Sequence, residues 1–228
     1  MSIKLIIVLV LASLIAAFFI LGVPDYLTIT ALQDNKIRLL NTVEQYYGLS
    51  IVVAMLIYIS VVALSLPGAA ILSLTVGFIF GRWLGWSLLI VSATIGAVLV
   101  FCLVRYLLYD WAKARLDNIT ATRKIMTEFE QHSLHYLLFL RLVPLFPFWL
   151  VNLTMAFTSI KTGPYALGTF IGIMPGSFVF ANLGQSLAEI ESLDQLFSGQ
   201  LLMAFVLLGA LMLVPVIISR RKPSKDRK

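Results

Sequence analysis

Charge is what this chain has least of. Asp, Glu, Lys and Arg make up 12% of its 228 residues, against about 25% in an ordinary soluble domain. No Asp or Glu occurs between Glu44 and Asp110, or between Glu130 and Glu189. A single cysteine, Cys102, excludes an internal disulfide and a cysteine zinc site. It sits in an apolar run, where a packing role is expected. The only histidines, His132 and His135, have no third ligand near them in sequence, so no metal or other cofactor is expected. A GxxxxGKS or GxxxxGKT phosphate loop is absent, which excludes the commonest nucleotide-driven engine. No base stands inside an apolar run to activate a serine, which argues against intramembrane proteolysis. The chain is therefore read as not an enzyme.

What is present is apolar. Hydrophobic residues make up 60% of the chain and its mean hydropathy is +0.97. This predicts an all-α integral membrane protein. The net charge of +6 is no nucleic-acid signal, because six of the seventeen Lys and Arg lie in the tail 220–228. A basic cluster beside a membrane helix marks the cytoplasmic side and meets anionic lipid. Lys4 followed by the run Leu5 to Leu21 looks like a signal peptide. The run is long for one and Leu21-Gly22-Val23-Pro24 is a poor cleavage site, so an uncleaved first helix is expected.

Four parts follow. Residues 1–44 hold a membrane helix and an interfacial linker, 45–190 the main membrane domain, 191–219 a final helix and 220–228 a basic cytoplasmic tail. Within 23–48, Asp25, Asp34, Lys36, Arg38 and Glu44 alternate with apolar residues, as in a helix lying on a membrane surface. Residues 49–81 carry no charge but are interrupted at Pro67-Gly68. Residues 134–158 are interrupted at Pro144 and Pro147. Helices cannot pass a proline without losing a backbone hydrogen bond. In hydrocarbon that loss is tolerated only where the backbone is buried in protein or lines a polar cavity.

Each interruption is followed by one long apolar stretch, 83–109 and 162–184. Each broken segment is either a crossing helix with a loop or a re-entrant hairpin, the first with arms 49–66 and 69–80 before a span 83–109 that starts with the anchors Trp83 and Trp86. Charge decides between them. With both re-entrant, four helices cross and both termini share the side of Lys113, Arg115, Arg123 and Lys124, while the loop 185–197 opposite has no Lys or Arg. The expected architecture is four crossing helices plus two opposed re-entrant hairpins, an inverted repeat of 49–109 and 134–184. Matched broken helices in two halves point to a transporter-type site.

The pieces Leu66-Pro67-Gly68, Gly77-Phe78-Ile79-Phe80-Gly81, Gly96-Ala97 with Phe101-x-x-x-Arg105, Arg141-x-x-Pro144-x-x-Pro147 with Asn152, Gly172 and Pro175-Gly176 resemble the DedA superfamily. Its members are also called VTT-domain or SNARE-associated Golgi proteins. The resemblance covers roughly residues 45–190. It implies two facing re-entrant hairpins and a role in moving lipids across a bilayer; in bacteria the family is linked to flipping undecaprenyl phosphate or phosphatidylethanolamine. Some bacterial members carry acids in the first hairpin and couple to protons. Here Ala69 follows Pro67-Gly68, which sets the chain nearer the branch named for yeast Tvp proteins.

The candidate site residues follow. Arg141 lies inside an apolar run, where a charge costs about 2.5–3.5 kcal/mol or more and marks function by default. Its guanidinium suits a lipid phosphate, although it could also snorkel or cap broken-helix carbonyls. Arg105 divides between interface anchoring and substrate contact, and Arg82 is read as an anchor. Asn152 suits either freed backbone or a headgroup. Pro67, Gly68, Pro144 and Pro147 turn the hairpins. Gly168, Gly172 and Gly176, at GxxxG spacing, are expected to pack helices. The expected function is movement of phospholipid or polyprenyl phosphate between leaflets of the inner (plasma) membrane. A secondary transporter of a small solute or ion and a membrane scaffold are the alternatives. Membrane lipids are the expected partners, nucleic acid is not, and a homo-oligomer is left open.

Overall fold

The computed structural model describes residues 3–22, 28–116, 133–142 and 146–189. All regular structure among them is helical: α1 (Ile3–Ile20), α2 (Ile29–Asp34), α3 (Lys36–Gln45), α4 (Tyr47–Ala63), α5 (Ala69–Leu116), α6 (Ser133–Leu142), α7 (Phe148–Ala156) and α8 (Thr162–Glu189). Pro144, the linker 117–132 and the expected last span at 198–219 lie outside the described residues.

The first expected break is a turn at 64–68. Helix α4 ends with the Leu66 amide donating to Val61 O at 2.9 Å and the Ser65 amide to Val62 O at 3.0 Å. This crossed pair closes a helix end when the residue after it turns left-handed, and Ser65 does so at φ 54°. Leu66 then buries itself, Pro67 bars helix continuation, and Gly68 at φ 106° supplies the second left-handed step.

The expected end of the second arm at 80, before the span at 83–109, falls inside α5. Gly81 adopts φ 74° and ψ 176°, so α5 is two helices, α5a (69–80) and α5b (82–116). A Cβ placed on Gly85 would lie 3.1 Å from Gly77 Cα. Residues eight apart in one straight helix stand about 12 Å apart, so the arms fold back on one another at Gly81. The chain thus runs α4, turn, α5a, turn, α5b. The second half runs α6 to Leu142, the short α7 from Phe148 behind Pro147, a turn at 157–161, and α8.

By length and composition, Ala69–Leu108 and Thr162–Glu189 can cross a membrane, and a third span exists if α3 and α4, bent by 116°, count as one. The break at Gly81 divides the first of these stretches into α5a and α5b. Helix α1 is apolar over Lys4–Ile20, about 26 Å long and near the ~30 Å hydrocarbon thickness.

Helix α8 lies against α5, and their closest approach is backbone to backbone. A Cβ on Gly184 would stand 2.7 Å from Phe78 N and 2.9 Å from Gly77 Cα, and one on Gly77 would meet Ala181. One core cluster joins α4, α5 and α8 through Val61, Val62, Leu89, Ile173 and Ala181. A second joins α5b, α6, α7 and α8 through Ala97, Phe101, Leu137, Met155 and Tyr165. Gly168 and Gly172 face α6, meeting Leu134, Leu137 and Arg141, whereas a Cβ on Gly176 would meet nothing within 4 Å. The expected packing role of Gly176 therefore gives way to open space.

Other expectations are also revised. Trp86 turns inward and donates from Nε1 to Met174 O at 2.9 Å, while Trp83 stays exposed. Cys102 is exposed rather than packed. Arg82 donates from its amide and its Nε to Gln185 Oε1 at 2.9 and 3.0 Å, a contact that adds to its expected role as an anchor and does not contradict it.

Gly77→Ala and Gly184→Ala should each cost about 1–3 kcal/mol through overpacking against backbone. Gly176→Ala should be neutral. Thermal unfolding of the detergent-purified chain, followed by gel filtration, checks the contrast.

Candidate functional site

Helix α6 carries Arg141 in its last turn, and its stem is pressed against α8. A Cβ on Gly172 would stand 2.5 Å from Arg141 Cβ, so the missing side chain is what admits the arginine. The face of α8 that holds Gly172 also carries Tyr165 and Thr169, two turns and one turn earlier. Arg141 Nη2 donates to Asn152 Oδ1 on α7 at 2.5 Å, to Tyr165 Oη at 3.1 Å and to Thr169 Oγ1 at 3.3 Å. Tyr165 Oη in turn donates to Asn152 Oδ1 at 2.9 Å. Asn152, Tyr165 and Thr169 are wholly buried. Arg141 Nη1 reaches Phe148 O, the first residue of α7, at 3.5 Å, and the guanidinium lies 4.1 Å from the centre of the Phe148 ring.

All these partners are neutral. Among the described residues, the only acids with described side chains are Asp34, Glu44 and Glu189, at helix ends away from Arg141. Two buried donors in the cluster have no acceptor: Arg141 Nε and Asn152 Nδ2. The cluster is a buried cation with spare donors and no counter-charge, which is the electrostatic profile of an anion site.

A cavity of about 280 Å³ opens beside Arg141. Its walls come from both halves of the chain. Tyr58, Ala69, Ala70 and Ser73 come from the first broken segment, Leu140, Arg141, Phe146 and Phe148 from the second, and Ile173, Gly176 and Ser177 from α8. The bare face of Gly176 is thus cavity wall. Pro67-Gly68 sits immediately before Ala69 and Pro147 immediately before Phe148, so both turns border the same space. Ala69, at the position after Pro67-Gly68, is part of that wall.

Arg105 is placed differently. It does not line the Arg141 cavity. Its Nε donates to Ala156 O at 3.2 Å and its Nη2 to Thr158 O at 2.6 Å. These carbonyls close the C-terminal end of α7, where a cation also meets the negative end of the helix dipole. The guanidinium lies 4.2 Å from the centre of the Phe101 ring. Phe101 stacks on Tyr165 at 4.1 Å and 12°. The Phe-x-x-x-Arg pattern is thus a column that supports Tyr165, and through it Arg141.

Sequence reasoning missed Tyr165, Thr169, Tyr58 and Ser73. The available signal was a tyrosine and a threonine four apart in an otherwise apolar span, next to a small-residue stripe.

Residues 66–186, more than half of the chain, match the VTT domain. The chain belongs to the VTT-domain family. The family assignment agrees with the resemblance read from the motifs. Among similar proteins is the Transmembrane protein 41 homolog of Dictyostelium discoideum, 29% identical over 87% of this chain and 62% of that protein. Transmembrane protein 41B of Danio rerio is 25% identical over 80% of this chain and 65% of its own length. The human Transmembrane protein 41B is 24% identical over 80% and 63%. The chain thus spans under two thirds of the length of these relatives. They carry the transmembrane protein 41 name rather than the Tvp name expected for the nearer branch. No solved structure matches.

Arg105→Met should lower stability by about 1–3 kcal/mol by stranding two buried carbonyls. Arg141→Met should lower it less, because its partners Tyr165 and Asn152 keep each other and an apolar side chain replaces a buried charge at small cost. Thermal melts of both variants in one detergent test this ordering.

Proposed function

We propose that the chain equilibrates lipids between the leaflets of a membrane, with an anionic headgroup held at Arg141. The observation that carries this reading is the largely buried guanidinium that faces a cavity with no carboxylate among the described residues to neutralise it. A phosphate oxygen would find Arg141 Nε without an acceptor and could share the Nη1 donors with Phe148 O, charged N–H groups of the kind that bind phosphate. A headgroup occupies the space between the two broken segments while its chains stay in lipid. This reading takes both segments as re-entrant hairpins of an inverted repeat, with their turns near the midplane. The shared cavity and the matched element order support it.

The charge distribution supports a topology with both termini cytoplasmic and 185–197 outside. The inner (plasma) membrane is the proposed location and membrane lipids the proposed partners. No nucleotide loop is present, so energy comes from a gradient or from the lipid distribution itself. Ala69 in the cavity wall supplies no proton-carrying group, so collapse of a pH gradient should matter little.

The purified full chain in liposomes should speed exchange of a labelled phospholipid between leaflets without ATP. Arg141→Ala should slow it at least about tenfold, as expected for loss of a buried charged contact. Arg141→Lys should recover only part, since an ammonium lacks the planar fork. Exchange at the protein-free rate with several lipid classes would turn the reading towards a solute transporter or a scaffold. Cysteines at Ser192 and Ser224, in a Cys102→Ser background, should label from opposite sides of the membrane; labelling from one side would remove the four-crossing topology.

A further inference from the structure

A second and larger cavity, about 620 Å³, lies outside the Arg141 site. It runs along the seam between α4 and α5a and is roofed by α3. From α4 it takes one face only: Tyr46, Leu49, Ser50, Val53, Ala54, Ile57 and Tyr58 recur at the three- and four-residue spacing of one helix side. From α5a it takes Leu72, Val76 and Phe80 with their neighbours at the same spacing. Its polar side chains are unevenly placed. Asn35, Arg38 and Thr42 stand together on α3, at the end where Tyr47 meets Phe80 ring to ring at 6.3 Å. The opposite end is closed by Tyr58, which also lines the Arg141 cavity. Tyr58 Oη and Ser73 Oγ are hydrogen-bonded at 2.9 Å, and Ser73 Oγ donates to Ala69 O at 2.7 Å. This pair forms a partition between the two cavities.

The groove thus has a cationic, hydrogen-bonding mouth and an apolar floor about 14 Å long from Leu49 to Tyr58. Its volume lies within the ~300–1,000 Å³ of ordinary ligand sites. Arg38 is exposed on the amphipathic helix α3, and α4 leaves α3 at 116°. A helix that lies on the membrane surface next to one that descends into it orients a groove as a phospholipid is oriented, head outward and chain inward. We infer that this groove binds one phospholipid of the bilayer, its phosphate at Arg38 and one acyl chain along the α4–α5a seam, with the Tyr58–Ser73 pair barring the chain from the Arg141 cavity. The site requires that the chain lie in a bilayer and does not rest on the transport reading.

The test uses the full chain in vesicles of phosphatidylcholine and phosphatidylglycerol, the latter carrying a photoactivatable diazirine on one acyl chain. Crosslinks mapped by mass spectrometry should be denser on 49–58 and 72–80 than on Val91, Ile95 and Leu99, which are also exposed and apolar. Arg38→Gln should lower groove labelling about fivefold, the worth of one basic residue beside anionic lipid. Val53→Trp, a change at a position 44% exposed, should fill the groove and remove labelling of 72–80 without loss of thermal stability. Tyr58→Ala should extend labelling to 146–151. Labelling of 49–58 no denser than that of 91–99, or unmoved by Arg38→Gln, overturns the site. A groove that stays unlabelled while leaflet exchange persists sinks this site and leaves the transport reading intact. A labelled groove without leaflet exchange does the reverse.

Discussion

Backbone groups freed at a helix end must find partners when water is absent, and several described helix ends in this chain are organised around that requirement. The end of α4 is closed locally, by the crossed bonds to Val61 O and Val62 O. The end of α7 is closed from α5b, by Arg105 on Ala156 O and Thr158 O. The end of α8 is closed from α3, where Lys36 Nζ donates to Ala188 O at 2.5 Å. The start of α5b is closed from α8, where Gln185 Oε1 accepts the Arg82 amide. Three of these four closures come from a distant helix. Breaking a helix therefore ties it to the rest of the molecule, and two of the chain's few cations are placed by this need rather than by a ligand.

The second constraint is distance. Side chains that serve another helix's backbone must lie within hydrogen-bond reach of it, so the helices must approach closely. Gly77 with Gly184 brings α5a onto α8, and Gly172 brings α6 onto α8. In lipid, close packing of this kind drives helix association because the tails are as apolar as the side chains. The same glycine that admits the stem of Arg141 sets its head against Tyr165 and Thr169. Packing and site geometry are one device here.

The sequence made the membrane character, the turn at Pro67-Gly68 and the interest of Arg141 legible, because each is a local departure from an apolar background. Pro67 and the buried charge need no partner to be noticed. The end of the second arm at 80 was legible from the small residues and the return of charge at Arg82, but not the left-handed φ of 74° by which Gly81 makes the turn. Arg105 could not be assigned from the chain alone, since anchoring, capping and ligand contact need the same side chain. Gly168, Gly172 and Gly176 share one spacing yet meet different surroundings, two against α6 and one against a cavity. Tyr165 and Thr169 were lost among apolar residues because their importance lies in facing Arg141 across 24 and 28 residues of sequence.

The charge balance at Arg141 bears on what a transport site of this type would need. A guanidinium in a membrane segment is stabilised either by a carboxylate or by neutral acceptors and aromatic faces. This chain uses the second solution: one amide oxygen, two hydroxyls, a carbonyl and the face of Phe148. A carboxylate would bond more strongly, and an arriving phosphate would have to displace it. Neutral acceptors leave the positive charge uncompensated, so an anion gains the full electrostatic attraction without breaking an ion pair. When the anion departs, the guanidinium keeps the same neutral acceptors and no ion pair has to re-form. A site meant to hold one ligand permanently gains from a tight, geometrically closed shell. A site that equilibrates headgroups gains from weak, neutral, preformed acceptors and from a cavity wall, such as Ala69 and Gly176, that offers the headgroup no further grip.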